Sequence, residues 1–179
     1  MLVYDGDPER VATILPDLEM SPVTPILHFT RRLLTDKGWH VRVALWPRDE
    51  RDGLPLPFIE EALERAGTPQ MHLAVGFSAG TRGLPAAIER NLPGIWLRPL
   101  LREQRIRDAV GAILEPSLLV GGTADPQWDG ALDRPSRCQS HEVKDADLAL
   151  EVPGSVPETM KAMTRTLKRI EDFVDGLEH

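Results

Sequence analysis

Three observations predict an α/β protein, three layers deep, with helices on both faces of a mostly parallel sheet. Short apolar runs alternate with amphipathic helical stretches, which is the sequence form of strands joined by covering helices. One run, Met71–Phe77, is apolar almost throughout, as a central strand buried on both faces requires. The length, 179 residues, fits one domain spanning 1–179 with enough chain to bury a substantial core.

The elements follow in order. Residues 1–4 read as an opening strand, Asp5-Gly6-Asp7-Pro8 as a turn, and 11–15 as the first parallel strand, stopped by Pro16. A long loop leads to Thr24, an N-cap followed by Pro25 at the first helical position. In that helix Ile26, Leu27, Phe29, Leu33 and Leu34 share one face, Arg31 and Arg32 point away, and Gly38 marks the end. A strand is expected over 41–46, then a charged, proline-rich loop, then a helix around 58–66 closed by Gly67. After Met71–Phe77 come a helical segment over 82–90, a strand at Gly94–Leu97, a helix over 101–113, a strand over 117–121, and a last strand near Cys138–Val143. Ser155 with Glu158 has the spacing of a capping box. Behind it Met160, Met163, Leu167, Ile170, Val174 and Leu177 recur every three or four residues, so the methionines read as core.

Composition narrows the function. A formal charge of −7 and a pI near 5.2 argue against nucleic acid as partner, because a phosphate-binding surface needs clustered cations. The single cysteine, Cys138, rules out an intrachain disulfide, and no Cys/His cluster has zinc spacing, so neither metal nor cofactor is expected. No stretch approaches the apolar length of a membrane span, and the first thirty residues carry acids and prolines where a signal peptide would be apolar. A cytoplasmic protein with a small-molecule ligand or substrate is the expectation.

Gly76-Phe77-Ser78-Ala79-Gly80 is a G-x-S-x-G sequence that directly follows the most apolar strand and precedes a helical segment. That strand, turn, helix context is what a nucleophile elbow needs: a serine on a sharp, strained turn projects its hydroxyl above the sheet, and flanking glycines let backbones approach. The alternative is a glycine-rich turn that binds an anion at a helix N-terminus. Neither G-x-G-x-x-G nor a P-loop is completed here. The run from Leu118 to Trp128 breaks at Gly121 and Gly122 and presents Asp125 at the C-terminal end of a strand, the edge of an open α/β sheet where ligands bind. Taken singly, Asp125 before Pro126 is a turn former. Ser78 followed by Asp125 has the chain order of a hydrolase triad.

On these motifs the sequence resembles the α/β-hydrolase superfamily, in its compact branch of small, lidless serine hydrolases, over nearly the whole chain. The further matches are the Leu15-Pro16 strand exit with its loop to Pro25-Ile26-Leu27, Gly38-Trp39 before the next strand, Gly122-Thr123-Ala124-Asp125 with Trp128, and residues 145–154. The resemblance implies an α/β-hydrolase-like fold without a cap domain. It also implies Ser78 as nucleophile, Asp125 as the acid that orients the base, and an oxyanion hole from the backbone N–H of Ala79 with that of Asp17 or Leu18. Two positions depart from the family. Such enzymes tend to end the site with Ala-Asp-His-x-Leu-Glu, whereas this chain reads Ala146-Asp147-Leu148-Ala149-Leu150-Glu151, so the expected base is Leu148. Asp17 stands where the family usually has glycine.

No other histidine is well placed to serve. His28 lies on a helix, His40 and His72 begin strands, and His179 ends the chain; His141 is a weak alternative base, seven residues before Leu148. Trp46, Trp96 and Trp128 sit at strand ends as crevice lining or as packing. Arg98, Arg102, Arg105 and Arg107 read as a solvated helix face or as a holder of an anionic substrate. Cys138 reads as a buried thiol. Two functions remain: an esterase-type serine hydrolase acting on a small acyl ester or amide through Ser78, with weak or absent activity for want of a base, or a non-catalytic module binding a small molecule or a protein partner.

Overall fold

The structure is a computed structural model that describes residues 1–18, 24–46 and 56–178. Its elements are β1 (Leu2–Tyr4), β2 (Asp7–Leu15), α1 (Pro25–Asp36), β3 (Trp39–Val43), α2 (Leu56–Glu64), β4 (Met71–Phe77), a 3-10 turn (Ser78–Gly83) running into α3 (Leu84–Glu89), β5 (Gly94–Leu97), α4 (Gln104–Gly111), β6 (Ser117–Gly122), β7 (Cys138–Val143) and α5 (Val156–Gly176). The seven strands form one sheet in the order β1-β3-β2-β4-β5-β6-β7. Only β1 is antiparallel, pairing β3 with Val3 opposite Arg42.

That order follows from chain handedness. Right-handed crossovers place α1, which steps outward from β2 to β3, on one face, and α2, α3 and α4, which step the other way, on the opposite face. The direction of winding reverses between β2 and β4, which run parallel with Leu15 opposite Gly76. A crevice at the carboxyl ends of such a strand pair is where ligands bind in open α/β sheets. The chain segments leaving that point carry Asp17 and Ser78.

Strand alternation fills both layers of core. Ile14, Val75, Ile95, Leu97, Leu118 and Val120 face α1 and α5, together with Ile170 and Val174 of the last helix. Their neighbours Leu15, Ala74, Trp96 and Leu119 face α2, α3 and α4. A one-residue slip would exchange the two sets, so the apolar pattern pins the register. Between β5 and β6 the chain forms the single short helix α4, so no cap rises there over the C-terminal edge. No helix among the described residues is long and apolar enough to cross a membrane.

Four details differ from the sequence expectation, the first in α5, where Met160, read as core, is 53% exposed one turn into the helix while Met163 is buried. β2 begins at Asp7, inside the expected turn, and its pairing with β3 is irregular between Asp7 and Val11; Pro8, which lacks an N–H, sits where the ladder is broken. β3 covers Trp39–Val43, because Trp39 is fully buried and belongs to the sheet, while Leu45 is half exposed. Phe29 leaves the apolar face expected of α1: it is 43% exposed and stands edge-on to His28, while Thr30 takes the inward place and bonds the Ile26 carbonyl. The loop to Thr24 and the charged, proline-rich loop lie largely outside the described residues.

Candidate functional site

Ser78 follows the last residue of β4 and holds a left-handed backbone, φ 51°, a conformation that costs a non-glycine residue about 1–3 kcal/mol. Close packing holds it there. A Cβ at Gly80 would come within 1.9 Å of the Leu15 carbonyl oxygen, so only glycine lets the turn lie against the end of β2. Thr81 donates its hydroxyl back to the Ser78 carbonyl at 2.6 Å. The serine is 3% exposed.

The partner of the Ser78 hydroxyl is Arg98. Its Nη1 donates to Ser78 Oγ at 2.5 Å, and its Nε donates to Asp125 Oδ2 at 2.9 Å. Register explains the reach. Phe77 pairs with Leu97, and Leu97 pairs with Val120, so the residue leaving β5 emerges between the elbow and the acid-bearing loop after β6. Arg98 also has a left-handed backbone, φ 50°. Its side chain is 15% exposed and that of Asp125 1%, so this is a largely desolvated ion pair. The second oxygen of Asp125 accepts from the Gln127 N–H at 3.0 Å, which closes the Asp125-Pro126-Gln127 turn.

The guanidinium spans serine and acid much as an imidazole would. Nε and Nη1 flank one carbon, as the two imidazole nitrogens do, and so present donors at similar spacing. Proton transfer is where they differ. A guanidinium has no acceptor nitrogen and does not deprotonate in proteins, whereas a triad base must take the serine proton.

The two backbone amides expected to form an oxyanion hole do converge, but on the chain's own carboxylate. Asp17 Oδ1 accepts from the Leu18 N–H at 2.8 Å and from the Ala79 N–H at 3.4 Å. Trp46 steadies this loop by donating Nε1 to the Pro16 carbonyl at 3.0 Å. Beside it Arg82 forms a two-pronged pair with Glu103, and its guanidinium is held more firmly protonated than usual, chiefly by that hydrogen bond and to a lesser degree by the charges of Glu103 and Asp17, with burial opposing.

The loop carrying Leu148 lies on the same edge. The Ala124 N–H bonds the Ala146 carbonyl, the Asp145 N–H bonds Thr123 Oγ1, and a Cβ at Gly122 would stand 2.2 Å from the Ala146 oxygen. Asp147 folds the loop by accepting from the N–H groups of Ala149 and Glu151, and Leu148 is 48% exposed. The weak alternative base is placed elsewhere: His141 Nε2 meets Thr166 Oγ1 of α5 at 3.2 Å, and its pKa is lowered by burial first and by Arg169 and Arg165 second.

The remaining candidates are structural. His72 bonds Thr13 at the far end of the sheet. Trp96 is buried against Gly76 and Gly94, and Trp128 packs on Gly121 while donating to Glu142. Cys138 is buried, which pushes its thiol pKa up to about 11. Arg102 and Arg107 serve the Pro126 carbonyl and Asp129. Grouping Arg98 with them as one helix face was therefore incorrect, since it precedes α4 and reaches the site. The overlooked signal was its position directly after a short strand that lies between the serine strand and the aspartate strand. No group of three or more His, Cys, Asp or Glu among the described residues is placed to hold a metal ion.

No family profile and no curated protein matches this sequence. Solved structures do match its fold. Est1E from Butyrivibrio proteoclasticus, with ferulic acid bound, superposes with a TM-score of 0.72 at 12% identity, covering 97% of this chain and 92% of that one. An α/β serine hydrolase homologue from Coxiella burnetii gives 0.71 at 11% identity over 96% and 89% of the two chains. A serine hydrolase without lid from Xanthomonas campestris gives 0.66 at 15% identity over 98% and 87%. A seven-stranded, mostly parallel sheet with helices on both faces and this set of structural neighbours make the chain an α/β-hydrolase-like fold of the compact kind, without a cap.

Proposed function

We propose that this protein is a non-catalytic small-molecule binding protein built on a serine-hydrolase fold, with its binding site at Ser78. The observation that carries this reading is the Arg98 bridge: the hydroxyl that would attack an acyl group accepts a hydrogen bond from a permanent cation, and that cation occupies the acid meant to orient a base. Serine is weakly nucleophilic unless a neighbouring group removes its proton, and neither Arg98 nor Leu148 can do so. Asp17 supports the same reading, because it sets a carboxylate where the carbonyl oxygen of an ester would have to sit. That the structural neighbour Est1E was solved with ferulic acid bound is in keeping with a small-molecule ligand.

The test is direct. With p-nitrophenyl acetate as substrate, the protein should show no turnover that disappears in Ser78→Ala, and a fluorophosphonate probe should leave Ser78 unlabelled at neutral pH. Stoichiometric labelling within minutes, or Ser78-dependent hydrolysis, would restore the esterase reading.

A further inference from the structure

Around Ser78 hydrogen-bond donors outnumber acceptors, and the excess has a chemical meaning. The Ser78 hydroxyl accepts from Arg98, so its own proton is available to donate, and no described residue accepts it although the serine is 3% exposed. The N–H groups of Ala79 and Leu18 aim at one point. Arg98 has further N–H groups beyond the two engaged with Ser78 and Asp125, and these meet no acceptor among the described residues. Convergent backbone amides, a hydroxyl and a guanidinium form a receptor for an anionic, acceptor-only group. The chain answers the two amides with Asp17, which is bonded to neither the Ser78 hydroxyl nor Arg98. The fit is loose: the Ala79 contact, at 3.4 Å, lies beyond the usual N–H···O range, and the half-buried aspartate is anchored mainly to the amide next to it.

Resting on the non-catalytic reading above, we propose that this is a carboxylate-binding site, that its ligand is a small monocarboxylate, and that Asp17 is a built-in competitor which vacates the amides when the ligand enters. The exchange replaces one carboxylate by another beside Arg82, and the half-buried Asp17 regains water as it leaves. A competitor tethered in the same chain lowers apparent affinity by the fraction of time it leaves the site free.

Sodium benzoate is the probe, titrated into the full chain and followed by the amide resonance of Ala79, with neutral benzamide as control. Asp17→Ala should bind benzoate about tenfold more tightly than the parent, which corresponds to a site free roughly one-tenth of the time. Benzamide should show no such gain, and Ser78→Ala added to Asp17→Ala should reduce it. Asp17→Asn, which keeps the size and one acceptor oxygen, should give a smaller gain and covers the case in which the alanine variant folds poorly. Unchanged benzoate affinity in both Asp17 variants, an equal gain for benzamide, or an Ala79 amide that does not respond would overturn the proposal. Those outcomes leave the non-catalytic reading standing, whereas Ser78-dependent hydrolysis by the parent would remove that reading whatever the benzoate result.

Discussion

Ser78 and Arg98 leave neighbouring strands one residue beyond a registered pair, Phe77 opposite Leu97, and each turns at once into a left-handed backbone that brings their side chains into hydrogen-bond contact. The same arginine neutralises Asp125, so three residues far apart in sequence act as one unit.

Placing a histidine at 148 alone should therefore not create an esterase. In Leu148→His the imidazole would find both Asp125 oxygens engaged and the serine hydroxyl bonded to Arg98. Esterase activity on p-nitrophenyl acetate should equal that of the parent, while Leu148→His with Arg98→Gly and Asp17→Gly, which also clears the Leu18 and Ala79 amides, should exceed it by about a hundredfold, the lower end of general-base contributions. A gain in the single variant would show that Arg98 yields the site easily.

Arg98 also bears on stability. Arg98→Met leaves the Asp125 carboxylate buried with only the Gln127 N–H as partner, and breaking a buried pair this way costs about 3–5 kcal/mol. Adding Asp125→Leu should recover part of that loss, which urea midpoints of the two singles and the double would reveal as non-additivity above about 1 kcal/mol.

His72 should make stability pH-dependent. Burial, with smaller contributions from Arg90 and Arg42, lowers its pKa to about 4. A group whose folded pKa lies below its unfolded value of about 6.5 binds protons preferentially when unfolded, so its contribution is complete above pH 6.5 and is lost as pH falls toward 4. Loss on the order of 2–3 kcal/mol across that window is expected from the shift, and urea midpoints of His72→Gln should show a flatter profile over the same range.

Gly80→Ala is expected to be severe. The new methyl would meet the Leu15 carbonyl oxygen at 1.9 Å, a backbone atom that cannot swing aside. Destabilisation of about 3 kcal/mol or more should appear in thermal melts, with the Trp46 fluorescence environment altered because Trp46 is bonded to the adjoining Pro16 carbonyl.

Cys138 should resist modification in the folded state. With its thiol held near pKa 11 and 7% exposed, it offers little thiolate at pH 8. A disulfide reagent should label it far more slowly than the same residue in urea.

By itself the sequence determined what is local or periodic: Met71–Phe77, Gly94–Leu97 and Cys138–Val143 are strands as expected, Ser155 caps α5 through the Glu158 N–H, and G-x-S-x-G appears as a tight turn after the central strand. It also showed that a leucine stands at position 148. These properties depend on residue type and short-range spacing, so one strand or helix suffices to reveal them. What meets the Ser78 hydroxyl and the Asp125 carboxylate, and what meets the two amides, was decided by tertiary structure. Arg98 looked like one more cation before a charged helix until the order β4-β5-β6 set it between Ser78 and Asp125, and Asp17 looked like a departure from glycine until the reversal of winding between β2 and β4 brought its carboxylate to the Ala79 N–H. Both are contacts between segments tens of residues apart in sequence, and their geometry exists only once the sheet has fixed which strands are neighbours and in what register.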